Sequence, residues 1–139
     1  VTPGGKIVYG GGGIMPDIFV PVDTTAFSEN YNKGRNMGIM YRFAFYYTDK
    51  NRGVLEQFST AEEIEGYLND QDILPEFIEY ARGKGINPDY QDIRTSELPL
   101  HKTVKAYIGR NVIDNMGFYP IIASIDNTLQ VAIDTLSAL

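Results

Sequence analysis

At 139 residues the chain is long enough for one domain with a buried core, since a chain of this size hides roughly two thirds of its unfolded surface. Its 43% hydrophobic and 22% charged residues are the balance of an ordinary globular protein. A net charge of −6 with twelve scattered Lys and Arg argues against a duplex-binding protein, which needs a basic face to release counterions, and the lack of cysteine excludes disulfides, thiolate nucleophiles and Cys-based zinc sites.

No apolar run approaches the ~18 residues of a membrane span, and no basic-then-apolar leader opens the chain. The chain starts at Val1 and not at Met, as expected of a protein processed or cut from a longer one. The first elements in chain order are β-rich. "KIVY" and "DIFVPV" are short, apolar and bounded by Gly and Pro, which predicts a pair of strands within residues 1–22. From Asp23 the pattern becomes helical. "DTTAFSENYNKGRN" opens with capping residues, so a helix is expected from Thr24 or Thr25, interrupted at Gly34. "MGIMYRFAFYYTDKNR" follows, with Ile39, Phe43, Tyr46 and Tyr47 at helical spacing.

"STAEEIEGYL" reads as a capping box in which Ser59 and Glu62 bond each other's amides, ahead of a face made by Ile64, Tyr67 and Leu68. "DILPEFIEYARGKG" predicts a short helix stopped by Gly83 and Gly85. Asn87-Pro88 reads as an N-cap with Pro at the first helical position. The longest helix is expected from about Ser96 to Asn115, with Val104, Tyr107, Ile108 and Val112 inward and Pro120 limiting its continuation. Asp126 is placed to cap a last helix striped by Leu129, Ala132, Ile133 and Leu136. The expectation is a mainly α (α+β) fold: a strand pair in residues 1–22, then a helical region of five or six helices in residues 23–139, without internal repeat or dividing linker.

The chemistry-bearing patterns are few. Gly10 to Gly13 suggest a phosphate cradle, but the third glycine of a dinucleotide fingerprint falls on Met15. Pro16 and a β-rich run then stand where a helix N-terminus should hold the phosphate. The better reading is structural, because glycines tolerate positive φ and close backbone approach. His101 is the single histidine, so no His-based zinc motif can form; we place it at the surface or a boundary. Asp49, Asn51 and Gly53 imitate the start of a calcium loop, but the ligands at positions 5 and 12 are missing, leaving a polar turn at a helix end. Asn69 to Asp72, "NDQD", read as a turn with a helix cap.

Five serines are present, Ser28, Ser59, Ser96, Ser124 and Ser137, and none lies in a nucleophile elbow. Ser59 and Ser96 read as caps, Ser124 as a small core or helix-end residue, and nothing pairs a serine with His101. Glu62, Glu63 and Glu65 suit an exposed acidic first turn. The aromatic stripe Tyr31, Tyr41, Phe43, Phe45, Tyr46 and Tyr47 is read as core, with the lining of a peptide or sugar groove as the alternative. The residues therefore single out no catalytic, cofactor-binding or metal-binding position.

The segment "TPGGKIVYGGGGIMPDIFVP", Thr2 to Pro21, resembles part of the carboxyl-terminal processing (tail-specific) serine peptidases. Thr2, Pro3, Gly5, Gly11, Gly13, Ile14, Pro16, Asp17 and Val20 match that family's pattern, while Lys6 stands where Arg is usual. The helical remainder, in "MYRFAFYYTDKNR", "LHKTVKAYIGRNVID" and "DNTLQVAIDTL", is similar to the C-terminal extension of Bacteroidetes-type members. The resemblance implies a parent hydrolase with a Ser-Lys dyad, a PDZ-like domain, a protein or peptide substrate and a periplasmic, cell-envelope or secreted location. In the family the serine and lysine precede this glycine-rich segment, so they would lie before Val1. Lys84 in "RGKG" imitates the catalytic-lysine segment but follows the glycine motif; its order is wrong and it takes no catalytic role. The implied function is the non-catalytic C-terminal region of a serine endopeptidase, with a helical protein- or peptide-binding or oligomerisation module as the alternative. Unpaired strand edges in such a region would invite a homo-oligomer.

Overall fold

One long helix, Tyr90–Ile113, organises the molecule. A computed structural model describes residues 1–5, 7, 11, 16–22 and 28–138. In chain order the described α-helices are α1 (Glu29–Asn36), α2 (Ile39–Lys50), α3 (Arg52–Leu55), α4 (Ala61–Asn69), α5 (Ile73–Gly83), α6 (Tyr90–Ile113), α7 (Asn115–Ile122) and α8 (Asn127–Ser137), with a 3-10 turn at Ala123–Ile125 between the last two. The mainly α expectation holds. The strand pair is not seen: among the described residues there is no strand. Asp17–Val22 is irregular and mostly exposed, while Lys6, Val8 and Tyr9 of the other expected strand lie outside the described residues. A two-stranded ribbon without a covering face is marginal, and Pro16 and Pro21 remove ladder donors.

The helix expected from Thr24 or Thr25 begins outside the described residues. The first described helix is capped by Ser28, whose Oγ accepts the Tyr31 amide at 3.1 Å. Gly34 does not interrupt it but lies within α1. The break comes at Gly38, which takes φ 67 and so re-aims the chain into α2. The capping box sits one residue later than expected. Thr60 Oγ1 accepts the Glu63 amide at 3.2 Å, and Glu63 Oε2 accepts the amides of Thr60 and Ser59 at 3.1 and 2.9 Å. Two amides on one carboxylate hold Glu63 below the usual carboxylate range.

The start of α6 also differs. Asn87-Pro88 is not its cap; Asp89 is, in a reciprocal box with Asp92. The helix therefore begins before Ser96 and carries Pro99 inside it. It ends at Asp114, which takes φ 56, so Asn115 belongs to α7, and Pro120 lies within that helix and does not limit α6. Ser96 is no cap either: it is buried, and its Oγ accepts the Ser28 amide and donates to Ser28 Oγ, both at 2.9 Å.

At ~1.5 Å per residue α6 runs about 36 Å. Thr103, Val104, Lys105 and Ala106 are four successive buried residues, so over this turn the helix is enclosed on every side. Its contacts show the same: α7 folds back along it, and α2, α4 and α1 pack around it. The main core gathers Ile39, Phe43, Tyr47, Leu55, Ile64, Leu68, Phe77, Val104 and Ile108. Phe43 sits among the rings of Tyr46, Tyr47, Phe77 and Tyr80. A smaller cluster of Ala61, Ala106 and Ile121, with Phe118 and Ile122 against it, seals α4 and α6 to α7. Asp126 caps α8 as expected, accepting the Leu129 amide at 3.0 Å, but no residue of α8 is buried, and its stripe of Leu129, Ala132, Ile133 and Leu136 stays exposed.

Candidate functional site

The α2 helix divides the aromatic stripe between its two faces. Phe43 and Tyr47 turn inward, as does Tyr31 from α1, whose hydroxyl is 3.2 Å from Thr103 Oγ1. Tyr41, Phe45 and Tyr46 turn outward and remain 49%, 57% and 44% exposed. The helical period makes this split: 43 and 47 are one turn apart on one face, 41 and 45 one turn apart on the other. The core reading of the stripe therefore holds for half of it and fails for the other half.

The outward half is a built surface. Tyr80 of α5 stacks on Tyr46 with ring centroids 5.7 Å apart and planes 27° from parallel. Tyr107 of α6 meets Tyr41 edge-on at 5.5 Å. Lys50 lies 5.8 Å over the Tyr46 ring, and Lys84 lies 5.6 Å over the Tyr80 ring. In both pairs the cation follows the ring by four residues, the spacing that brings side chains together on a helix. Lys50 Nζ also donates to Glu76 Oε1 at 2.7 Å, a hydrogen bond that holds its amine above the usual lysine range. Between the two helices lies an open depression of about 510 Å³ that includes Phe45, Arg42 and Asp49 in its lining. Tyrosines stack and donate hydrogen bonds, while the cations supply charge, which is the chemistry of a binding surface.

The other sequence candidates resolve separately. Asp49 pairs with Arg52 at 3.3 Å, and Asn51 Nδ2 donates to the Tyr47 carbonyl at 2.9 Å, so the calcium-like stretch is a helix-ending turn. No group of three metal-ligating side chains occurs among the described residues. Asp72 stands at the N-cap of α5 without a side-chain cap bond. Asn69 is recruited elsewhere: its Oδ1 accepts from the buried Lys105 Nζ at 2.7 Å. Beside it Lys102 pairs with Glu65. His101 is half-buried, its Nε2 has no hydrogen-bond partner among the described residues, and burial, with the Lys105 ammonium beside it, holds its imidazole below the usual histidine range. Burial likewise lowers the Lys105 amine. No described hydrogen bond joins a serine to His101: Ser124 Oγ donates to the Ile121 carbonyl at 2.8 Å, as a helix-end residue does, and Ser28 and Ser96 bond each other. Gly11 takes φ 110, in keeping with the structural reading of the glycine run; Gly10, Gly12 and Gly13 lie outside the described residues.

A second, interior cavity lies between α1, α2, α5 and α6, lined by Tyr31, Met40, Phe77 and Ile86, with Ser28 and Ser96 also in its wall. Only about 40 Å³ of it admits the centres of water-sized molecules, too little for a ligand of ordinary size. The shelf residues missed by sequence reasoning are Arg42, Lys50, Tyr80, Lys84 and Tyr107. The paired spacings Tyr46/Lys50 and Tyr80/Lys84 were the available signal.

Residues 30–114 match the model of a family of unknown function, DUF8443. The match exceeds half of the chain, and the chain belongs to that family. It includes α2, α5 and α6, hence the whole aromatic shelf. No curated protein matches the chain, and no solved structure does. No helix among the described residues is long and apolar enough to cross a membrane.

Proposed function

We propose that this family member is a non-catalytic binding module that holds an extended polypeptide, or an extended segment of a protein partner, on the aromatic shelf of α2 and α5. The observation that carries the reading is the exposure of Tyr41, Phe45 and Tyr46 on one helix face beside a depression. Grouped exposed aromatic side chains mark interaction surfaces, and tyrosine supplies large contact area at little rotamer cost. The test is fluorescence anisotropy of a labelled unfolded polypeptide titrated with the full chain. Phe45→Ser and Tyr46→Ser are expected to weaken binding at least ~10-fold, and Phe45→Ser, at a ring 57% exposed, to leave Tm within about 2 °C. Phe43→Ala is expected to lower Tm instead, because its ring is fully buried. Wild-type binding by Phe45→Ser and Tyr46→Ser would remove the reading.

A second reading concerns the setting of that module. Thr2 to Pro21 carry the pattern shared with tail-specific serine peptidases, which supports placing this chain as the helical region that follows such a peptidase core, in a periplasmic or secreted parent. In that arrangement the substrate is a protein or peptide handled by the upstream core and its PDZ-like domain, and the shelf is an accessory surface. The coding sequence upstream of Val1 tests it. A serine followed by Gly-Lys is expected there; their absence would reduce the resemblance to one shared segment.

A further inference from the structure

The shelf has a charge character of its own. The chain as a whole carries a net charge of −6, yet the charges left uncommitted around the shelf are positive. Asp49 is engaged by Arg52 and Glu76 by Lys50. Arg42 and Lys84 are exposed and have no carboxylate partner among the described residues. Lys102 is paired with Glu65, and Arg52 with both Asp49 and Glu56. Lys84 is moreover held at the Tyr80 ring, so its charge is presented at the aromatic surface. Phe45 is 57% exposed and meets no other ring among the described residues, leaving an apolar face beside Arg42 in the lining of the depression.

Resting on the binding reading above, we infer that the partner is an acidic peptide segment carrying a large apolar or aromatic side chain. That side chain stacks on Phe45 and Tyr41, and flanking carboxylates face Arg42 and Lys84. A basic segment meets uncommitted like charge at both places and is rejected on that ground. Single-stranded nucleic acid also combines stacking with negative charge. Two uncommitted cations on an acidic protein are few for a phosphate backbone, where affinity grows with the number of phosphates neutralised.

The test uses the full chain in isothermal titration calorimetry against three capped heptapeptides: Phe-Tyr-Leu flanked by two Glu on each side, the same core flanked by Lys, and Gly-Ser-Gly flanked by Glu. The first is expected to bind at least ~10-fold more tightly than either other, and to weaken as salt rises from about 50 mM to about 500 mM because the rim charges are exposed. The Arg42→Gln, Lys84→Gln double variant is expected to lose that preference with an unchanged melting curve, and Arg42→Glu, Lys84→Glu to transfer it to the Lys-flanked peptide. Equal binding of the Glu- and Lys-flanked Phe-Tyr-Leu peptides would overturn the acidic partner while sparing the shelf. No binding by any peptide, with Phe45→Ser also without effect on unfolded polypeptide, would overturn both. Tighter binding of a poly-dT oligonucleotide than of the Glu-flanked peptide would replace the peptide by nucleic acid.

Discussion

The contact between α6 and α7 permits a sharp prediction, because it is made by two glycines. A Cβ built on Gly109 falls against the Gly117 carbonyl oxygen, 2.9 Å from its carbonyl carbon and 3.3 Å from its Cα. The reciprocal Cβ on Gly117 meets the Gly109 carbonyl and lies 2.8 Å from Ile113 Cγ1. Backbone cannot rotate away as a side chain can. The single-residue link at Asp114 leaves α7 little slack, so Gly109→Ala must push the helices apart by about 1 Å. A gap of that size forfeits roughly a quarter to a half of each contact's attraction, here the packing of Ile121 and Phe118 on Ala106 and Ala61. Overpacking costs about 1–3 kcal/mol or more, and the helix propensity of Ala returns at most about 1 kcal/mol. The expected net loss is about 2 kcal/mol, or a Tm drop of about 6–8 °C for a domain of this size. Urea unfolding followed by circular dichroism measures it. Gly66→Ala in α4, where nothing lies within 4 Å of the new Cβ, is the control and should gain a few tenths of a kcal/mol to about 1 kcal/mol. A Gly109→Ala protein as stable as wild type would refute the reasoning.

Gly34→Ala should stabilise by about 0.5–1 kcal/mol in the same assay, because the position is helical and its Cβ would touch Ile86 Cδ1 at 3.7 Å and Met40 Cε at 3.9 Å, ordinary contact distances. Burial, then Tyr67 and Glu76, push the Tyr47 phenol up to about 12; its neutral form is favoured by folding, so that stability is full below the unfolded value near 10 and lost as pH rises through about 12. Ultraviolet titration should show a late-ionising component that is removed by Tyr47→Phe. Lys105→Met should be neutral or stabilising in chemical unfolding, whereas Asn69→Ala, which strips the buried ammonium of its acceptor, should cost about 1–3 kcal/mol. The chain alone should not hydrolyse denatured protein or C-terminal peptides, and robust cleavage abolished by Ser→Ala at one of the five serines would contradict that.

Local signals account for what was legible in the sequence. The α8 cap at Asp126, the capping box before α4 and the face of α4 depend on residues three or four apart, and these were read correctly or within one position. The start of α6 was hidden because its first residues, Tyr90 to Thr95, are mostly polar and show no apolar stripe. The buried central turn owes its place to its neighbours, and the polar residues of α6 find partners such as Ser28, Tyr31 and Asn69 that no spacing rule names. Strand-like composition at Asp17–Val22 did not make a strand, since a ladder needs a second strand and a face to cover it. The aromatic stripe read as core, but only Tyr31, Phe43 and Tyr47 are buried, because which face of α2 met the core depended on α5 and α6.

The enclosure of α6 and the openness of α8 give the two helices different lifetimes within one folded chain. Amide hydrogens of Thr103 to Ile108 can exchange with solvent only when the whole core comes apart, so their protection reports the global stability. The α8 helix is 11 residues long, shorter than an isolated helix needs to persist in water, and it buries none of its side chains. In the free chain its amides therefore exchange through local fraying alone, and any partner that covers Leu129, Ile133 and Leu136 would register first as slowed deuterium uptake there, before any change in Tm.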